Sequence, residues 1–304
     1  MNDQIDVSVV IVSYNTRQFL LRCLASVLRT ALPLEVIVVD NASSDGSAEA
    51  VASEYPQVRL VRNATNVGFA AATNQGLSQA GGRYLVLLNP DTEVCSGALE
   101  AMVEFLDHEP QVGVAGPQLR YPNGQRQHSC FTFPTLLMSF LDFFPINYRL
   151  ANSRLNGRYS WDDGGIPFAI DHPLGACMVV RREAIEQVGM LDEGFFIYCE
   201  EVDWCWRFKK AGWKVYCVPE AIVVHHEAQS TRQRAPAMFV ELHRSRHRLF
   251  AKHRSPLFCW ATRQIVRLGL LREMYRAHRR YRKGEIGVEE YSRWMASYRA
   301  VFEM

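Results

Sequence analysis

The stretch VSVVIVSYNTRQFLLRCLASVLRTALPLEVIVVDNASSDGS (7–47) decides the fold. Its two apolar, β-branched runs, VSVVIVSY (7–14) and LEVIVVDN (34–41), lack the alternation of a half-exposed strand. Continuous apolarity suits strands covered on both faces, as in a parallel sheet. Between them, Arg17–Thr30 has helical spacing. Strand, helix and strand in that order predict a βαβ unit with a right-handed crossover. The rhythm continues outward with strands at VRLVRN (58–63) and YLVLLNPD (84–91) and helices at Asp45–Glu54 and Phe69–Ala80. Ser43 and Ser44 look like caps before Asp45, and Gly81-Gly82 like a stop signal. The fold class is therefore α/β, a mostly parallel central sheet flanked by helices.

From Val112 the pattern loosens into two short strands with a turn at Pro122-Asn123-Gly124. Residues 128–172 are aromatic, Pro-containing and aperiodic, which predicts a long loop or partial lid. A strand at LGACMVVRR (174–182), a helix near Glu183–Val188, an aromatic strand GFFIYC, a helix over Glu200–Gly212 and two strands, KVYCVP and AIVVHH, follow. Everything past Pro236 is helical in composition and basic. Domains are expected at 1–234 and 235–304.

The 304 residues are 48% apolar and 22% charged, which excludes a disordered chain. No apolar run reaches the ~18 residues a membrane-spanning helix needs. The opening MNDQIDV lacks the basic region and cleavage site of a signal peptide, so a cytoplasmic protein is expected. The eight cysteines form no C-x-x-C pair, which points away from zinc sites and a disulfide framework. A net charge of +2 hides an asymmetry: residues 235–304 carry 15 Lys/Arg against 6 Asp/Glu, a local net of +9.

In open α/β sheets ligands bind beyond the carboxyl ends of the strands. Here those ends are polar: Ser13-Tyr14-Asn15, Asp40-Asn41, the stretch Asn63–Asn66, and Asn89-Pro90-Asp91. No G-x-G-x-x-G turn or Walker loop follows the first strand, which argues against NAD enzymes and P-loop kinases.

The segments VSVVIVSYN, EVIVVDNASSDGS, NVGFAAATNQG and LVLLNPDT, in this order, resemble the inverting family-2 glycosyltransferases of GT-A (Rossmann-like) fold, and within them the rhamnosyltransferase-like branch. PLGACMVVRREAIEQVGMLDEGFFIYCEEVDWCWRFKKAGW and VVHHEAQSTR extend the likeness, which covers about residues 6–234. The resemblance implies a nucleoside-diphosphate-sugar site. Asp40 would accept a hydrogen bond from the N3–H of a uracil or thymine ring, an ionised acid being acceptor only; a cap role near Asp45 is its structural alternative. Tyr14 and Asn15, with Ser13 and Asn41 beside them, would face base and ribose. Asn66, Gly68 and Asn74 would line the donor pocket, with Gly68 admitting a close approach of the ligand and Asn74 open to a purely structural bond.

Asn89-Pro90-Asp91 stands in place of the family's D-x-D motif, with Asn for its first acid. The resemblance makes Asp91 a ligand of a divalent cation, Mn²⁺ or Mg²⁺, that neutralises the leaving diphosphate. It selects His225 over His226 as the second ligand, because Ser230 follows five residues later. Ser230, Thr231 and Arg232 would hold diphosphate oxygens. The general base would come from Glu200, Glu201 or Asp203, with Glu201 favoured by position and Asp203 four residues before Arg207 on one helical face, a spacing that suits an ion pair.

The implied activity is hexosyl transfer, with L-rhamnose from dTDP-L-rhamnose onto a saccharide or lipid-linked saccharide in bacterial cell-surface polysaccharide synthesis. Galactofuranose or a hexose from a UDP-sugar, and a non-catalytic nucleotide-sugar-binding subunit, are the alternatives; a nucleotidyltransferase would need a Gly-rich basic loop that SYNTRQ lacks. In the tail, Ile265, Leu268, Leu271, Tyr275, His278 and Tyr281 recur every three or four residues among arginines. That pattern predicts peripheral attachment to the cytoplasmic face of the inner membrane, or packing on the transferase body or a second subunit. No nucleic-acid motif accompanies it.

Overall fold

A computed structural model describes residues 5–159, 165–226 and 235–304. The elements in order are β1 Val7–Ser13, α1 Arg17–Val27, β2 Leu34–Asp40, α2 Ser47–Glu54, β3 Arg59–Arg62, α3 Phe69–Leu77, β4 Tyr84–Leu88, β5 Thr92–Val94, α4 Ala98–His108, β6 Val112–Arg120, β7 Arg126–Gln127 and β8 Cys130–Phe131. Then come α5 Leu136–Phe143, α6 Tyr148–Ala151, β9 Phe168–Ala169, β10 His172–Pro173, β11 Cys177–Arg181, α7 Arg182–Val188, α8 Glu200–Lys210, β12 Lys214–His225, α9 Ala235–His253, α10 Pro256–Arg282 and α11 Val288–Phe302.

The chain forms two units. The first takes residues 1–132, 161–196 and 200–230, and the second 133–160, 197–199 and 231–304. In the first unit the sheet runs β3-β2-β1-β4-β11-β6-β12-β5. The strands β3, β2, β1 and β4 are parallel, with Ser13 level with Asp40 and Asp40 with Arg62. Their polar carboxyl ends therefore share one sheet edge. β11 enters antiparallel between β4 and β6, so the sheet is mixed though mostly parallel. β1 is buried over its whole length, as its unbroken apolarity requires. Val9, Ile11, Leu24, Val38, Val86 and Leu99 are among the core residues that the flanking helices cover.

Three expectations change. KVYCVP and AIVVHH are one strand, β12, whose register against β6 shifts between Val218 and Ile222, so Pro219 and Glu220 are absorbed as an irregularity. GFFIYC is irregular and not a strand. The aromatic stretch expected as loop holds α5, begun by Thr135, whose hydroxyl accepts from the Met138 N–H at 3.2 Å.

The second unit packs α5, α9, α10 and α11 around Phe143, Leu270 and Val301. Gly269 lets α10 approach α5 closely, since a Cβ there would run into the Phe143 ring. The stripe foreseen on α10 is only partly outward. Leu268, Leu271, Tyr275, His278 and Tyr281 are exposed, the last while stacking on Tyr291 with ring centroids 4.8 Å apart, whereas Ile265 is half-buried. No helix among the described residues is long and apolar enough to cross a membrane.

Candidate active site

The site begins where β1 and β2 end. Asn15 takes a left-handed conformation, φ 54°. That turn lets its N–H donate to Ser43 Oγ at 3.0 Å and its side-chain oxygen accept from the Ser44 N–H at 2.8 Å. Asp40 is buried and its Oδ2 accepts from the Ser43 N–H at 3.0 Å. Its Oδ1 is buried with no hydrogen-bond partner. A buried carboxylate oxygen without a donor costs free energy that a ligand N–H would recover. Ser43 and Ser44 therefore tie the cradle together and do not cap α2, whose first N–H at Ser47 is held by Asp45 Oδ1 at 3.0 Å. Tyr14 is half-buried beside them, and Ser13 faces inward, with its hydroxyl 3.1 Å from that of Thr16.

The residues assigned from the NVGF motif act mostly as struts. Asn41 donates to Asn66 Oδ1 at 2.9 Å and to the Gly68 carbonyl at 3.3 Å, while its own oxygen accepts from Asn63 and from the Val67 N–H. It shapes the loop and its amide has little left for a ligand. Asn66 also accepts from the Gly68 N–H at 3.0 Å. Gly68 sits at φ 90°, ψ 164°, a region open essentially to glycine alone. Its close approach is to the chain itself: a Cβ would lie 2.7 Å from the Phe196 carbonyl oxygen. Asn74 donates to the Leu191 carbonyl and to Glu193, both at 2.9 Å, and accepts from the Leu191 N–H at 3.1 Å. These contacts match the structural bond left open for Asn74: its amide braces the 191–193 turn that leads toward Phe196.

On the same edge, the Asn89 N–H donates to the Ala176 carbonyl at 2.9 Å, and Pro90 is buried in the turn into β5. The antiparallel pairing of β5 with β12 sets Thr92 opposite His225, and the His226 N–H donates to the Asp91 carbonyl at 2.9 Å. This register brings His225 Nε2 to 3.4 Å from Asp91 Oδ1, with both side chains buried. His226 turns instead to Glu93, 2.8 Å away. His225 Nδ1 lies 3.0 Å from Oε1 of buried Gln127. An amide oxygen only accepts, so Nδ1 donates to Gln127 and the ring is held with Nε2 facing Asp91. Gln127 was not among the residues singled out from the sequence.

The acids lead off α8. Asp203 is fully buried and accepts from Arg207 Nε at 2.9 Å, and Arg207 Nη2 donates to the Met190 carbonyl at 2.7 Å. That pairing is the ion pair its spacing from Arg207 suggested. Glu200 and Glu201 each keep a buried Oε2 with no partner. Burial raises both carboxyl pKa values, Glu200 further because of the neighbouring Glu201 charge, while helix amides at Glu201 and Val202 partly offset the rise at Glu201. Glu201 packs beside Gly175, where an added Cβ would lie 3.2 Å from its Cγ. Glu201 thus lies beside the Gly175-Ala176 segment, whose Ala176 carbonyl accepts from the Asn89 N–H. Trp204 is core, its indole N–H given to the Gly189 carbonyl at 2.8 Å. Ser230, Thr231 and Arg232 lie outside the described residues.

Comparison with known proteins gives the family. The family described as glycosyl transferase family 2 matches residues 8–189. An N-acetylglucosaminyl-diphospho-decaprenol L-rhamnosyltransferase of Mycobacterium tuberculosis is 32% identical over 268 residues, covering 81% of this chain and 84% of that one. The O-antigen biosynthesis protein RfbC of Myxococcus xanthus is 28% identical, over 73% of this chain and 17% of its own length. Among solved structures, GalNAc-T7 with UDP, GalNAc and Mn²⁺ covers 73% of this chain and 43% of that chain at TM-score 0.58 and 19% identity. A mannosyltransferase of Pyrobaculum calidifontis with GDP-Man and Mn²⁺ covers 97% and 84% at TM-score 0.57 and 19% identity. Both carry the fold of GT-A glycosyltransferases. From its sheet order, its strand-edge cradle and these matches, the chain belongs to glycosyltransferase family 2.

Proposed function

We propose that this glycosyltransferase moves L-rhamnose from dTDP-L-rhamnose, with inversion, to a saccharide carried on a lipid diphosphate in cell-surface polysaccharide synthesis. The observation that carries the reading is the buried Asp91–His225 pair, 3.4 Å apart on the edge that also bears Asp40. The rhamnosyltransferase relative supports the choice of sugar and of lipid-linked acceptor.

The two side chains fit a divalent cation, Mn²⁺ or Mg²⁺: a hard carboxylate oxygen and an imidazole nitrogen that faces it. Such an ion, when bound, supplies positive charge against the departing diphosphate. The remaining chemistry rests on side chains. Asp40 Oδ1 takes the base N3–H. Glu201 takes the proton of the acceptor hydroxyl as that oxygen attacks the anomeric carbon, and the bond to the diphosphate oxygen breaks on the opposite face.

The test is dTDP release from dTDP-L-rhamnose in the presence of Mn²⁺ and an N-acetylglucosaminyl diphosphate lipid. Preference for a UDP-hexose or UDP-galactofuranose would replace the sugar and keep the enzyme, since uracil offers the same N3–H. Donor binding without turnover of any nucleotide-sugar would favour the non-catalytic subunit. UDP and dTDP should compete for the site at least tenfold better than CDP, whose ring N3 accepts and would face the Asp40 carboxylate.

A further inference from the structure

The helix α10 has two apolar faces, and only one is used. Thr262, Gly269, Leu270 and Ala277 point into the second unit and are buried. At 100° per residue they centre on the side opposite Leu257, Trp260, Leu268, Leu271 and Tyr275, which fall within about 80° of arc. Those five side chains are 53–72% exposed. From Leu257 to Tyr275 the stripe runs about 27 Å at the α-helical rise. Gln264 falls on this arc between Trp260 and Leu268, so the stripe is apolar in two stretches, and exposed apolar surface of this extent on one helix marks an interaction surface.

Its borders are cationic. Arg276 and Arg279 are exposed along one side, while Arg267 and Arg272, at the two margins, donate to the Phe302 and Phe143 carbonyls of the second unit. α10 as a whole holds seven arginines and one acid, Glu273, which Arg276 engages at 3.1 Å. Trp260 and Tyr275 stand near the two ends, where amphipathic rings suit a headgroup boundary. A second copy docking on the same stripe would bring arginine against arginine. A nucleic acid would meet an apolar strip where it needs cations. A sheet of anionic headgroups over acyl chains complements both features at once.

We propose that α10 is a membrane-docking helix, lying in the plane of an anionic lipid surface with Leu257, Trp260, Leu268, Leu271 and Tyr275 inserted. The assignment is independent of the sugar transferred and needs no turnover to test.

Vesicles of phosphatidylcholine alone, and of phosphatidylcholine with phosphatidylglycerol, are sedimented with the full-length protein. Binding is expected only to the anionic vesicles, weakening as salt shortens the Debye length. The triple variant Leu268→Ser, Leu271→Ser, Tyr275→Ser changes exposed side chains, so its circular dichroism should match the parent while its partitioning falls at least tenfold. Brominated acyl chains should quench a fluorescence component that Trp260→Phe removes. Equal recovery in the supernatant with and without anionic vesicles overturns the proposal, as does binding that the triple variant keeps. A dimer in sedimentation velocity that the triple variant dissociates would also overturn it and make the stripe a subunit seam.

Discussion

At the residue scale, what could be read from the sequence depended on whether a residue's role follows from its place on a strand. Asp40, Asp91 and His225 end strands of strong apolar character, so their position at the sheet edge was legible. Asn41, Gly68 and Asn74 were not, because an amide or a glycine at a loop looks the same whether it meets a ligand or another part of the chain. Here the partners are the Asn63–Gly68 loop, Phe196 and the 191–193 turn. Gln127 was invisible for the same reason: it is 98 residues from His225, in a stretch without periodicity. Gln127→Ala should free the His225 ring to turn and weaken Mn²⁺ affinity about 10–100-fold, as for other residues that orient a ligand. Calorimetric Mn²⁺ titration of the nucleotide-bound protein reads this directly. Unchanged affinity would remove Gln127 from the role, and full turnover in EDTA would remove the cation from Asp91 and His225. For the acid pair, Glu201→Gln should lower kcat by ~10²–10⁴ with donor affinity kept. Burial raises the Glu201 pKa above its ordinary 4.5, so the active, deprotonated form is lost as pH falls through that raised value. The acid limb of kcat should therefore lie above the ordinary carboxylate range. If Glu200→Gln abolishes turnover and Glu201→Gln does not, the base is the other carboxylate.

At the element scale, periodicity named the long strands of the first unit, because βαβ strands buried on both faces leave continuous apolar runs, but it passed over α4 and the short strands β5, β8, β9 and β10. It failed where an element is set by tertiary contact. α5 is too short for a clear helical pattern and is fixed by the Thr135 cap and by packing on α10. β12 contains Pro219, which reads as a break, yet the strand continues through a register shift against β6. On α10 the outward stripe of Leu268, Leu271 and Tyr275 was legible, whereas the buried face of Thr262, Gly269, Leu270 and Ala277 was not, being set by packing on α5 and α11. The contact of α10 with α5 gives the sharpest test at this scale. Gly269→Leu would drive a side chain into the Phe143 ring and should cost about 1–3 kcal/mol by overpacking. Chemical denaturation of the variant checks this; a midpoint equal to that of the parent would mean that α5 and α10 part without cost.

At the scale of the whole molecule, each unit buries a histidine that must stay neutral. In the first, His172 is stacked on Phe131, its Nδ1 3.0 Å from the Pro173 carbonyl, with Asp171 and Lys209 as the nearest charges. Burial lowers its pKa to about 4. In the second, His243 lies between Phe143 and Phe239 beside Arg246, and burial aided by that cation lowers its pKa to about 3. Both values are depressed below the 6.5 of an exposed ring, so the unfolded chain binds more protons than the folded one. The stability each contributes is present above pH 6.5 and is lost as pH falls toward the folded value. The slope is at most about 1.4 kcal/mol per pH unit for each ring. The buried acids act in the opposite sense. Raised carboxyl pKa values favour the folded state at low pH and withdraw that support as pH rises above 4.5, so in the first unit Glu200 and Glu201 offset the histidine loss, and the net acid fall belongs to His243 in the second unit. Urea midpoints measured from pH 8 downward should hold steady to about pH 6.5 and then fall. Replacing His243 by Phe, which suits its aromatic surroundings, should flatten the part of the fall that belongs to the second unit. A midpoint that stays constant from neutrality to pH 5, or a fall that His243→Phe leaves untouched, would show that these rings are not what the acid removes.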